Sequence, residues 1–323
     1  MIPEASPETR RLLLLKRMAT LCAILVLAIT SISAFIRLSN AGLGCADWPH
    51  CYGQNLRQAQ QGGAAKPIES AATVGARMVH RVVAVAALLL IIVMVMACFT
   101  AKPVLRRAGW MALALLALAV FLAVLGRWSS GARVPAVSIG NLLGGFAMLA
   151  LCWRLRQEIS SAAQITAPPP GQRRMRAWAW LGVSVLILQI ALGGLVSAGY
   201  ASLSCPGLPG CGAGLSADIP LASLDPWREP IFAATTQAPV NPAGAASHMA
   251  HRYGTLVSLL VLIPLGLAAL RSGRRRTAWL IFSLLVIQVE LGLLMVALSL
   301  PLAGALAHNL IGVLLLAVVF SLA

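Results

Sequence analysis

Eight apolar runs, each about 18–25 residues and so able to cross a hydrocarbon core roughly 30 Å thick, divide the chain. They cover residues 18–38, 74–99, 108–125, 134–153, 177–199, 248–270, 279–298 and 302–323. Polar residues collect in the connections, and the long outer ones follow the first and fifth runs. The pattern predicts an all-α polytopic membrane protein with eight transmembrane helices. Composition agrees, because 59% hydrophobic and 11% charged residues in a chain of 323 are more apolar than a soluble protein needs. The first run is too long for a signal-peptide core and seven more follow, so it reads as an anchored helix.

The net charge of +16 raises the possibility of nucleic acid, and the placement of the charges removes it. Arg10, Arg11, Lys16 and Arg17 precede the first span, and Lys102, Arg106 and Arg107 fill the second connection. Arg154, Arg156, Arg173, Arg174 and Arg176 flank the fourth connection, and Arg271, Arg274, Arg275 and Arg276 occupy the sixth. Basic residues therefore alternate along the chain, which by the positive-inside rule predicts that both termini are cytoplasmic. No basic segment carries interleaved aromatics, so no nucleic-acid partner is expected and the surrounding surface is membrane lipid.

The chain also repeats itself. "GLGCADWPHCYG" at 42–53 and "SLSCPGLPGCGA" at 202–213 each carry a Cys-x5-Cys pair, follow an odd-numbered span and precede a helix bearing Met-x-His-Arg. Two tandem four-helix bundles are expected, residues 1–163 and 177–323, joined by a Pro-rich, basic cytoplasmic linker at 164–176. Cys45 with Cys51 and Cys205 with Cys211 face the oxidising side, where a structural or redox-active disulfide is expected. Neither zinc nor covalent haem attachment has the spacing it requires. Cys22, Cys98 and Cys152 lie inside spans and read as small core residues.

Ionisable side chains at membrane depth are costly, so each is a functional candidate. His80 and His251 begin the second and sixth spans, and His308 lies about two turns into the eighth, in "LAHNLIG". All three belong in the outer half of the membrane. His251 and His308 come from alternate helices of one bundle, an arrangement suited to gripping a haem iron from both sides. Arg81 and Arg252, beside His80 and His251, can pair with haem propionates. His248, one turn before His251, is a candidate propionate or proton partner, whereas His50 sits in a loop. Counted from Gly126 and Gly292, Asn141 falls where the second unit has His308. An amide is a poor ligand for haem iron, which leaves His80 as the strong ligand of the first unit. An iron held on one side suits chemistry on a bound molecule.

Other polar groups in the spans have two readings each. Glu290 can accept a proton or bond to Gln189, or simply pack. Arg37 can reach a propionate or snorkel to the headgroups. Trp48 and Trp128 read as members of the interfacial aromatic belt.

"IRLSNAGLGCADWPHCYG", "MVHR", "LGRWSSGARVPAVSIGNLLGGFAMLAL", "LGGLVSAGYASLSCPGLPGC", "MAHR" and "LPLAGALAHNLIGVLLL" together resemble the haem A synthases, the CtaA/COX15 family of the cytochrome oxidase assembly pathway. The resemblance runs from the first span to the last. It implies two four-helix bundles and an oxidoreductase that converts haem O to haem A by oxidising one porphyrin methyl group to a formyl. It implies a haem b cofactor held by two histidines in the C-terminal bundle, at His251 and His308. It places haem O, the substrate, between two histidine positions of the N-terminal bundle, here His80 and Asn141. Where the family carries a glutamate three residues before the first His-Arg, this chain has Arg77, which cannot act as a carboxylate base. Glu69, upstream in the loop, is the other carboxylate in reach of that role. An active synthase is expected, and a haem b-binding relative that has lost the reaction (an electron carrier or haem-handling assembly factor) is the alternative. A transporter is set aside, because the polar residues cluster near one face. Haem O synthase and the oxidase assembly machinery are the implied partners, in a bacterial inner membrane. Small residues such as those of "GNLLGG" permit self-association.

Overall fold

A computed structural model of the chain describes residues 6–60, 70–129, 133–161, 172–208, 210–211, 221–230 and 241–323. Among these, eight helices are long and apolar enough to cross a membrane, and no strand occurs. They are α1 (Pro7–Asn40), α3 (Ala71–Thr100), α4 (Arg106–Ser129), α5 (Pro135–Ser161), α6 (Gln172–Ala198), α7 (Ala245–Arg271), α8 (Arg275–Ala297) and α9 (Leu302–Phe320). A short helix, α2 (Gln54–Gln60), lies in the connection after α1.

The ends of the helices follow local chemistry. Ser6 and Ser70 open α1 and α3 by accepting the backbone N–H of Thr9 and Thr73. Arg11 closes α3, donating to the carbonyl of Ala97 at 2.6 Å, a group that the helix end leaves without an intrahelical partner, and to that of Pro103 in the following connection at 2.8 Å. Helix α6 begins at Gln172, inside the segment expected to be linker, and Arg176 Nε donates to the Ala323 carbonyl at 3.0 Å. Residues 164–171, the rest of that linker, lie outside the described residues, as do residues 162–163 and Glu69.

In lipid the bundle is held by close packing, because lipid tails are as apolar as the helices. α1 lies against α3 and α5, with α4 between α3 and α5; α7 lies between α6 and α8, with α9 against α8 and α6. Small residues set the contact distance. A Cβ on Gly145 of α5 would stand 2.9 Å from Thr30 of α1, and one on Gly266 of α7 would stand 2.5 Å from the Phe282 ring of α8. The two sets meet where α5 lies on α6 and α9, and where α1 lies on α9. Gly194 of α6 admits Ile139 and Leu142 of α5 at that seam.

Arg37 sits in the last turn of α1, at one end of the same seam. Its guanidinium donates to Ser197 Oγ of α6 at 2.7 Å and to Asn309 Oδ1 of α9 at 3.5 Å. Arg37 and Ser197 each stand eight residues before the first cysteine of their loop, so equivalent positions of the repeat meet here. This removes the snorkelling alternative for Arg37: its partners lie on other helices, not at the headgroups.

Candidate functional site

His251 and His308 each lie six residues into their helices, α7 and α9. At about 1.5 Å per residue, that puts them at similar depths. Their rings face one another with centroids 6.3 Å apart and planes at 71°. Each ring fits against a glycine of a neighbouring helix. A Cβ on Gly193 of α6 would stand 2.9 Å from His251 Cε1, and one on Gly292 of α8 would stand 3.6 Å from His308 Cε1.

Gln189 of α6 holds His251 from two sides. Its carbonyl accepts from His251 Nδ1 at 3.2 Å, which fixes the tautomer and leaves the Nε2 lone pair available. Its side-chain Nε2 donates to the His251 carbonyl at 2.9 Å and to Thr255 Oγ1 at 3.1 Å. Gly254 makes room, since a Cβ there would overlap Gln189 Oε1. On the opposite ring, His308 Nδ1 is buried beside the backbone of Gln288 on α8, which stands one turn before Gly292 as Gln189 stands one turn before Gly193. The Gln189–Glu290 bond considered from sequence does not form: the amide is committed to α7, and Glu290 is exposed on α8.

The neighbours of His251 serve the loop between α6 and α7. Arg252 donates to the carbonyls of Cys205 at 2.6 Å, Gly207 at 2.7 Å and Gly210 at 3.1 Å. His248 is buried and its Nδ1 donates to the Ala201 carbonyl at 3.1 Å. Both expected disulfides are present, Cys45–Cys51 and Cys205–Cys211. Cys22, Cys98 and Cys152 are buried free thiols, as expected of core residues.

The first four long helices are arranged differently. His80 and Arg77 are half-buried on α3, Arg81 is exposed, and Asn141 is half-buried on α5. Among the described residues, no hydrogen bond or ring contact joins His80 to Asn141, in contrast to His251 and His308. No group of three or more His, Cys, Asp or Glu side chains suited to a metal ion occurs among them either.

The loop between α1 and α3 carries an aromatic row. Tyr52 is buried and meets Trp48 at 5.5 Å and Tyr200 at 5.6 Å, both edge to face. The Trp48 indole N–H donates to the Ser299 carbonyl at 3.0 Å, in the turn between α8 and α9. The Trp128 side chain lies outside the described residues. Burial pushes the Tyr52 phenol from its ordinary value of 10.0 up to about 12. An unfolded Tyr52 ionises near pH 10 while the folded one stays neutral, so this contribution to stability is present below pH 10 and is lost as pH rises toward 12. Thermal melts between pH 9 and pH 12 are expected to fall less steeply in Tyr52→Phe than in the wild type; equal slopes would refute this.

A family model described as Cytochrome oxidase assembly protein (COX15-CtaA) matches residues 16–320. The chain belongs to this family. Among curated proteins, the "Heme A synthase" of Shewanella oneidensis is 29% identical over 297 residues, covering 88% of each chain. With its eight spans, this member of the family is a multi-pass inner-membrane protein.

The histidine pair can be tested against a haem iron. An imidazole nitrogen stands about 2 Å from a metal it binds, and about 1.1 Å from its own ring centre. Two imidazoles on opposite sides of one metal therefore have centroids a little over about 6 Å apart. The observed 6.3 Å fits, as do the free His251 Nε2 and the glycines behind both rings. The Gln189 contacts and the fit of the rings against the two glycines escaped the sequence reading, which used Gly292 only as an alignment mark. A glycine one turn after a glutamine in an apolar helix carries no label of what it faces.

Proposed function

We propose that the protein is a haem A synthase, converting haem O to haem A for cytochrome oxidase assembly. In this reading the spans of residues 177–323 hold haem b between His251 and His308, and those of 1–163 hold haem O at His80. One observation carries it: two half-buried imidazoles 6.3 Å apart, one with its tautomer fixed by a carbonyl, in a chain of this family. Bound there, haem b supplies one-electron chemistry. The protein's own part is to hold both ring nitrogens in place, keep His251 as the Nδ1–H tautomer through Gln189, and exclude water with apolar helix faces. Arg37 and Arg81 are proposed as propionate contacts, and haem O synthase as the source of substrate.

At the first site His80 offers one nitrogen, and Asn141 offers a hydrogen-bonding amide in place of a second. Arg77 brings a positive charge where a proton acceptor would otherwise stand. These two residues favour a second reading, a haem b protein of the same family that no longer oxidises the methyl group. The two separate on extracted pigment. Co-expressed with a haem O synthase in a host lacking haem A, an active enzyme yields haem A or its hydroxylated precursor. Haem b alone supports the second reading, and a protein without haem rejects both.

A further inference from the structure

Helix α9 is positioned by residues from the far end of the chain. Its first two turns present Leu302, Ala305, Leu306 and Asn309, spaced three to four apart and so on one face. Leu302 meets the backbone at Gly44, where a Cβ would stand 3.0 Å from Leu302 Cδ2. Ala305 and Leu306 share an apolar cluster with Leu38, Leu43 and Tyr52. Asn309 accepts from Arg37. His308 lies about 100° round the helix from Asn309, where its ring meets His251.

The turn into α9 is strained. Ser299 has φ 53° and Leu300 φ 65°, both left-handed, a conformation that a side chain disfavours. Such a turn persists only where its surroundings fix it. Leu300 N–H donates to the Met295 carbonyl at 2.7 Å, and Trp48 Nε1–H donates to the Ser299 carbonyl at 3.0 Å. The second outer connection makes the reciprocal reach. The Pro226 carbonyl accepts from Ala136 N–H at 2.8 Å in the first turn of α5, and Glu229 pairs with Arg133 at 3.5 Å. Each long outer connection thus crosses to the other set of helices, and to the helix bearing Asn141 or His308.

We propose that the Cys45–Cys51 loop is the roof of the His251–His308 site, with Trp48 a positioning residue that keeps His308 on the iron. This rests on the reading that the pair holds haem. The two sets of helices are then not independent modules, because the ligand geometry of one is set by the loop of the other.

The test uses the full chain purified with its haem, in wild type, Trp48→Phe, Trp48→Ala and, as a control in the other loop, Trp227→Ala. Trp227 is exposed. The probe is carbon monoxide added to the reduced protein, which binds only where an axial ligand has left the iron. The CO-reactive fraction is expected to rise about tenfold in Trp48→Ala, as for a two-state equilibrium that loses a modest part of its bias. A smaller rise, with a shifted haem midpoint potential, is expected in Trp48→Phe, which keeps the ring and loses only the N–H. Trp227→Ala should match the wild type. Should Trp48→Ala fail to fold, Trp48→Phe carries the test. Trp48 variants that hold haem with wild-type CO reactivity and potential overturn the proposal while leaving the haem reading intact. A wild type that holds no haem overturns both.

Discussion

Changing His308 or His251 to alanine is expected to strip the purified protein of its low-spin haem spectrum, whereas changing His80 leaves that spectrum in place. The physical asymmetry lies in how the rings are held. His251 is gripped at its Nδ1 and at its own carbonyl by Gln189, and His308 faces it at 6.3 Å from a helix clamped along its adjoining face. If the pair holds haem as proposed, removing either imidazole takes away a metal bond outright. The loss should therefore exceed the roughly 10–100-fold that outer-shell changes cost a metal site. His80 has no opposed imidazole, so its loss should act on the substrate step only. Haem retained in His308→Ala with an unchanged reduced spectrum would show that the pair is not the ligand set. Loss of the spectrum in His80→Ala would mean that the sites are interchanged or shared.

Much of this was legible in the pattern of residues. The eight spans could be read because a run long enough to cross the bilayer leaves little ambiguity between helix and strand. The depth of the histidines followed from counting residues, since rise per residue is fixed. The disulfides could be read because each cysteine pair stands six residues apart in a loop. Facing and crossing could not be read. Arg252 looked like a propionate contact beside His251, yet its guanidinium binds three carbonyls of the adjacent loop. The spacing that makes Trp48 a candidate for the aromatic belt does not show that it bonds to a turn 251 residues later in the chain. Sequence spacing fixes the face of a helix on which a residue stands, but not which helix lies opposite. Nor does it show that two loops exchange places over a seam.

Arg252→Leu is expected to expose the Cys205–Cys211 bond to reductant and to lower thermal stability in detergent. Among the described residues Cys205 is buried, and the other fixings near it are His248 on the Ala201 carbonyl, Ser204 on the Asn241 carbonyl and the Asn241 amide on the Gly199 carbonyl. Hydrogen bonds from a charged donor contribute about 1.5–3 kcal/mol each, and three in one fork do not add fully. A net loss of about 3 kcal/mol is a reasonable expectation, and leucine leaves all three carbonyls without this donor. If reduction proceeds through local opening of the loop, that loss corresponds to roughly a hundredfold faster reaction with dithiothreitol. Arg252→Lys should fall between, since an ammonium lacks the planar fork that reaches several carbonyls together. The haem spectrum makes the measurement informative about function as well as stability. Arg252 follows His251 on the same turn of α7, so a loop that loosens through Arg252 should broaden or shift the spectrum before the protein unfolds. Faster reduction with an unchanged spectrum would mean that the His-Arg dipeptide joins two independent tasks by adjacency alone. Unchanged reduction would mean that the loop is held by its own backbone and that the guanidinium is available to the ligand.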